Sequence, residues 1–267
     1  MIVATVILGA LIGGAVVVSR VLLNDTARMV DADEAVERFR AQTTVAPTTA
    51  PAAASTTTAA VALATTPAPG VYRYATVGIE TIDSLGGTEH AYPAETTLTV
   101  TPDGCGVLLR WDLLKERYEE FRLCATLEGI ELQPTSAAYH EFFGVGQRQE
   151  IVCDREVLVV PSDGATREVV PLVCTIDQQL WLPEWEVVGS ELLTVAGSPV
   201  DTTHVRMHIA DEDQYWERTV VEWWLDEHGL PVRMTTTKES KSPSDLVGDV
   251  IYTEQYTADL VSLDPLR

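Results

Sequence analysis

From Gly70 to the C-terminus, apolar and polar residues alternate with a period of two, and turn signals interrupt the alternation at short intervals. That pattern constrains the chain more than any other feature, because it matches a half-buried strand and cannot bury one face of a helix. Segments 71–82, 96–101, 106–112, 118–127, 155–161, 167–174, 191–196, 203–210, 218–226, 231–239 and 249–260 all read as strands. Pro102-Asp103-Gly104, Ser162-Asp163-Gly164, Glu227-His228-Gly229 and 241–249 read as the turns between them. Helical spacing is weak, with Ser136–Phe143 and Pro243–Val247 the only stretches that suit a turn or short helix. No strand–helix alternation exists, so a dinucleotide-binding fold is excluded and a mainly β, antiparallel domain over 70–267 is expected.

The first 69 residues belong to no such core. Residues 2–23, IVATVILGALIGGAVVVSRVLL, carry one charge, Arg20. A helix of that length is about 33 Å long, enough to cross the ~30 Å hydrocarbon layer. No basic leader, small-residue cleavage site or following Cys marks it as a signal peptide or lipid-modified terminus, so it reads as an uncleaved single-pass anchor. Gly9-x-x-x-Gly13 fits either a helix-pairing face or ordinary glycine usage. Residues 24–40 read as a juxtamembrane helix, with Met29, Ala32, Val36 and Phe39 on one stripe and Glu34 four before Arg38. Asp31-x-Asp33 resembles a calcium loop only in its first residues. Residues 41–69 are uncharged Thr/Ala/Pro low complexity, a disordered spacer of the kind that carries O-glycans outside the cell.

Two signals conflict on orientation. Arg20, Arg28, Arg38 and Arg40 all follow the helix, which by simple counting places the domain in the cytoplasm. The four cysteines argue the opposite. Pairing Cys153 with Cys174 centres the enclosed segment on Asp163-Gly164, a preferred hairpin turn, and sets Val157 opposite Val170. Pairing Cys105 with Cys124 sets Trp111 opposite Tyr118, Arg110 opposite Glu119 and Leu108 opposite Phe121. These registers predict disulfides Cys105–Cys124 and Cys153–Cys174, each worth roughly 3 kcal/mol, and an oxidising compartment. No C-x-x-C spacing supports the rival zinc site. An extracytoplasmic domain on a membrane anchor is therefore expected, since long domains cross largely regardless of flanking charge.

Four Arg and five acids precede Gly70, leaving 14 basic and 35 acidic residues and a net charge of −21 over the remainder. Such a surface repels phosphate backbones, so no nucleic-acid partner is expected. No phosphate loop, G-x-S-x-G or H-E-x-x-H is present, and no cofactor or metal is expected. His204, Arg206 and His208 share one strand face, where two His four apart are about 13 Å apart, too far for one ion. His90, His140 and His228 read as isolated and loop-borne. Nothing nominates an enzyme.

The stretch Val220-Val221-Glu222-Trp223-Trp224-Leu225-Asp226, then Gly229-Leu230-Pro231-Val232-Arg233-Met234 and a long final strand, resembles the end of the periplasmic lipoprotein-carrier superfamily. The resemblance covers about 45 residues and carries no catalytic residue over. It implies a curved antiparallel half-barrel with an apolar concave face for acyl chains. The lining implied by alternation is Val205, Met207 and Ile209, then Val221, Trp223 and Leu225, then Val232 and Met234. A lipid or other apolar ligand is the first functional expectation. A structural or adhesive envelope domain that binds a protein through an edge or loop is the second.

Overall fold

The computed structural model describes residues 27–44, 64–83, 87–142, 145–176, 179–210, 216–244 and 248–267. Among them no helix is long and apolar enough to cross a membrane, and the expected anchor, 2–23, lies outside them. Most of the expected spacer, 45–63, lies outside them too.

The described strands form one antiparallel sheet that curls on itself as a half-barrel. Five consecutive strands make a meander: β13 (Glu184–Val195), β14 (Ser198–Ala210), β15 (Glu217–Leu225), β16 (Pro231–Ser244) and β17 (Gly248–Leu260). β17 then pairs with β1 (Gly70–Ile82), so the two ends of the domain lie side by side. From β1 the sheet continues through β3 (Glu95–Asp103), β4 (Gly106–Leu114) and β5 (Arg117–Ala125), while the short β2 (Thr88–Ala91) pairs with the far end of β1.

At β5 the sheet forks. One branch is β6 (Gly129–Leu132) and β9 (Val157–Pro161). The other is β7 (Thr135–Phe142), β8 (Val145–Cys153), β11 (Cys174–Ile176) and β12 (Gln179–Trp181), here called the ribbon. β10 (Arg167–Pro171) pairs with β13 at the opposite margin, and the curl brings β9 against β13 and β14.

Alternation explains the curl's inner face. Val250, Tyr252, Glu254, Tyr256, Ala258 and Leu260 of β17 are all buried, while the residues between them face outward. The β13–β14 hairpin turns on Ala196 and Gly197, with φ of 49° and 84°. That is the left-handed pair a two-residue turn needs to match strand twist, and Ala196 adopts it against its preference.

Both expected disulfides are formed, Cys105–Cys124 and Cys153–Cys174. The registers inferred around them require correction. In β4–β5 the turn residues are Lys115 and Glu116, and a bulge at the fully buried Leu113 absorbs one residue. Trp111 therefore faces Glu119, Arg110 faces Glu120 and Leu109 faces Phe121. Cys153 and Cys174 are direct partners on β8 and β11, but 155–161 and 167–174 form no hairpin. The Gly164 N–H donates to the Pro161 carbonyl at 3.1 Å, which puts Asp163-Gly164 at the last two turn positions instead of the central two. The strands then diverge, so Val157 pairs with Leu132 and Val170 with Trp185. Residues 136–142, read as a turn or short helix, are strand β7, because both β5 and β8 offer it partners.

One helix, α1 (Ala32–Thr44), precedes the sheet among the described residues. The Asp31 carboxylate accepts the Asp33 N–H at 2.8 Å, so Asp31 caps the helix. Val30, Ala35, Val36 and Phe39 pack on Val71 of β1, whereas Met29 is exposed. Glu34 reaches Lys115 at 2.7 Å, and Arg38 pairs with the buried Asp112 instead of with Glu34. The helix thus lies on its own domain.

Candidate functional site

Two regions bear on function: the apolar inner face and a polar cluster at one end of the curl. On the inner face, Val205, Met207, Ile209, Trp223, Leu225, Val232 and Met234 are buried, and Val221 is half-buried beside them. Alternation and register place them together, with Val205 beside Trp223, Met207 beside Val221 and Trp223 beside Met234. The Trp223 ring meets Trp185 of β13 at 5.4 Å and Phe121 of β5 at 5.0 Å, both edge-on. Phe121 arrives from the far side of the curl, so the sheet covers this face with its own side chains. Where β9 meets β13 and β14, a cavity of about 10 Å³ remains, and Val205 is the one residue of the eight on its wall. A wider hollow of about 490 Å³ has none of the eight; Pro67, Tyr72, Asp201, Asp226, His228 and Leu263 help to line it.

The outer face of the same strands is a charge ladder. Arg206 spans Glu222 at 2.9 Å and Glu186 at 2.8 Å. His204 stacks on Trp224 with centroids 4.4 Å apart and lies 3.2 Å from both Glu191 and Glu222. Arg206 and His208 face solvent, as the alternation requires, whereas Trp224 and the carboxylates cover His204.

The second region was not anticipated. Past Thr76, the inner face of β1 changes from tyrosine and threonine to Gly78 and Glu80, and that of β17 runs back from Leu260, Ala258 and Tyr256 to Glu254 and Tyr252. Arg117 and Glu119 of β5 continue the inward phase of Phe121 and Leu123. The result is a polar plug on an otherwise apolar interior. Glu80 is 1% exposed and lies at its centre. His90 Nδ1 is 2.8 Å from Glu80 Oε1. His140 Nε2 and the Tyr252 hydroxyl are each 2.9 Å from Oε2. The Tyr92 hydroxyl lies 2.5 Å from Glu254 and 3.2 Å from Glu80, and it donates to the nearer carboxylate. The Arg117 guanidinium reaches Glu254 at 3.4 Å and pairs with Glu119.

His90 and His140 are therefore strand residues, on β2 and β7, and not isolated loop residues. The sequence carried the signal in Glu80, Glu254 and Arg117, which sit in phase with buried aromatics, but it did not show that distant strands bring them together.

Electrostatics follow from this geometry. Burial opposes the Glu80 charge, but hydrogen bonds from His140 and His90, with Arg117 nearby, hold its carboxyl well below the usual range. Burial, and then the Arg117 charge, pushes the His140 imidazole below its ordinary value despite Glu80. Burial, reinforced by Glu254, pushes the Tyr92 and Tyr252 phenols well up, so both stay neutral donors. Burial also works against the Arg117 charge, yet Glu119 and Glu254 outweigh it. Among the described residues, His90, His140, Tyr92, Tyr252 and Arg117 supply the donors to the Glu80 and Glu254 carboxylates, and no Ser, Cys or Thr side chain is bonded to them. Among the described residues no group of His, Cys, Asp or Glu is placed to hold a metal ion. What the cluster can do is exchange a proton, through His140, whose side chain is 31% exposed.

No protein-family model, curated protein or solved structure matches the chain.

Proposed function

We propose that this chain is a non-enzymatic, membrane-anchored envelope protein whose β domain stands outside the cytoplasm and binds a protein partner. One observation carries the choice of a protein over an acyl chain. Phe121, Trp185 and Trp223 interlock across the inner face that a carrier has to leave open. An apolar ligand binds by burying area in a preformed cavity, and this face offers its area to the domain's own core.

The surface best suited to a partner is the outer face of the ribbon. Val152, Thr175 and Leu180 are direct neighbours across β8, β11 and β12, and Leu180 is 64% exposed. Exposed Val173 and Leu182 flank them. β12 pairs only with β11 among the described residues, which leaves an edge for an added strand. The net charge of −21 over 70–267 opposes a second copy and favours a partner whose extended segment is flanked by basic residues. The anchor at 2–23 tethers the domain, and because α1 lies on that domain the Thr/Ala/Pro segment links two docked elements and does not set the distance from the membrane.

The test is photocrosslinking in living cells, with the reactive side chain placed at Leu180 or at Val77, an exposed control 73% accessible on β1. The expected result is a discrete protein adduct from Leu180 and none from Val77. Adducts with lipid at Leu180, or the same adducts from both positions, contradict the reading.

A further inference from the structure

The chain joins the folded domain almost at once after the expected anchor. Leu23 closes the apolar run 2–23, and Ala27 already packs against the main core. The Arg28 N–H donates to Glu116 Oε2 at 2.9 Å, and the Lys115 N–H donates to the Arg28 carbonyl at 2.8 Å. The Arg28 guanidinium pairs with the same Glu116 carboxylate. Arg28 is thus bonded to both residues of the turn between β4 and β5. Further on, Val30, Ala35, Val36 and Phe39 are buried with Val71, and Arg38 pairs with Asp112. The Glu116 and Asp112 side chains are both buried. Lifting 27–44 off the sheet would strip Glu116 of its Arg28 contacts and leave Asp112 with Arg110 as its remaining described cation. Breaking buried pairs in this way is strongly unfavourable, because it leaves buried charge uncompensated.

We propose that this docking holds the β domain directly against the membrane, with the β4–β5 turn facing the lipid headgroups and the β15–β16 turn facing away. The arrangement rests on the anchor of the preceding section and adds a distance and an orientation to it. Five peptide steps lie between Leu23 and Arg28, and each spans at most about 3.6 Å. The β4–β5 turn therefore stays within about 20 Å of the point where the apolar run ends. Residues 24–69 acting as one free spacer would instead give a root-mean-square reach of about 37 Å, and far more when stretched.

The strands supply the orientation. β5 begins at Arg117, beside the β4–β5 turn, and covers about 20 Å before Leu123. The β15–β16 turn lies at that far end, since a Cβ on Gly229 would meet both Leu123 and Ile130 at 3.0 Å. Glu227 of the same turn has a side chain 86% exposed. The net charge of −21 over 70–267 keeps the body of the domain off an anionic surface, so the tethered end is the one that approaches it. The Glu80 cluster, which includes Arg117, then lies toward the membrane. The hollow beside Tyr72, Asp226 and His228 opens on the side away from it.

The experiment puts a fluorophore on one added cysteine of the full-length chain, reconstituted into phosphatidylcholine–phosphatidylglycerol vesicles whose headgroups carry a nitroxide quencher. Lys115→Cys keeps the backbone N–H that bonds Arg28, and Glu227→Cys labels the far end. Expected is strong quenching of the Lys115→Cys probe and none of the Glu227→Cys probe. Adding Val36→Asp and Phe39→Asp detaches α1, which faster proteolysis within α1 verifies, and abolishes quenching of the Lys115→Cys probe as the domain moves out on residues 24–69. The comparison of the two probes with α1 intact needs no helix variant. Equal quenching of both probes, or of neither, in chains that float with the vesicles overturns the proposal and leaves the anchor standing. Quenching of the Lys115→Cys probe that persists with α1 detached does the same. Chains that fail to float with the vesicles overturn the anchor and the proposal together.

Discussion

Replacing Trp223 with Ala separates a filled core from a ligand lining. Trp223 is 5% exposed and contacts Phe121 and Trp185 edge-on. An aromatic side chain of this kind buries about 150–250 Å². At about 25 cal/mol per Å² that burial contributes roughly 4–6 kcal/mol as an upper value. Each ring pair adds about 0.5–1.5 kcal/mol. Large-to-small changes at buried aromatics cost about 3–5 kcal/mol in practice. In a domain of this size each kcal/mol lowers Tm by about 2–4 °C, so a drop of about 6–20 °C is expected. The assay is calorimetric unfolding of the full-length chain, with near-UV circular dichroism to confirm native packing before the transition. A lining residue of an open groove has lost little when truncated. A Tm within about 3 °C of the parent's, with native packing kept, refutes the reasoning.

Other consequences follow from the same geometry. Ala196→Asn places a residue that tolerates the left-handed conformation at the β13–β14 turn and should raise stability by about 0.5–1 kcal/mol, read as a higher denaturation midpoint. Arg38→Ala removes one of two guanidinium partners from the buried Asp112; a loss of about 1–3 kcal/mol is expected, together with faster proteolysis within α1. Replacing Cys153 and Cys174 together with Ser should cost roughly 3 kcal/mol, read as a lower denaturation midpoint under non-reducing conditions; a midpoint equal to the parent's contradicts it.

The extent to which the sequence revealed this fold varies along the chain. β14–β17 were legible because Val205, Met207 and Ile209, and then the even residues from Val250 to Leu260, alternate cleanly with polar neighbours. β7 and β8 were not, because TSAAYHEF and VGQRQEIVC have little apolar period, and their partners rather than their composition make them strands. The disulfides were readable from spacing, but the hairpins drawn around them were displaced. Leu113 shows the reason in one case, since a single bulged residue shifts every pair beyond it. At Asp163-Gly164 a correct turn signal was assigned the wrong turn positions. The inward phase of Val221, Trp223 and Met234 was readable, but what faces them was not, because Phe121 is about a hundred residues away in sequence. The Glu80 cluster was hidden for the same reason. Each member looked ordinary alone, and the closure of β17 onto β1 makes them neighbours.

The central claim is that the inner face is occupied by the domain's own side chains. Equilibrium titration of the purified full-length chain with a fluorescent fatty-acyl probe tests it most directly, beside Met207→Asp as the altered inner face. The account predicts no saturable uptake by the parent and an unfolded Met207→Asp chain, since Met207 is buried in the core. Saturable uptake of one probe per chain, abolished by Met207→Asp in a chain that remains folded, contradicts it.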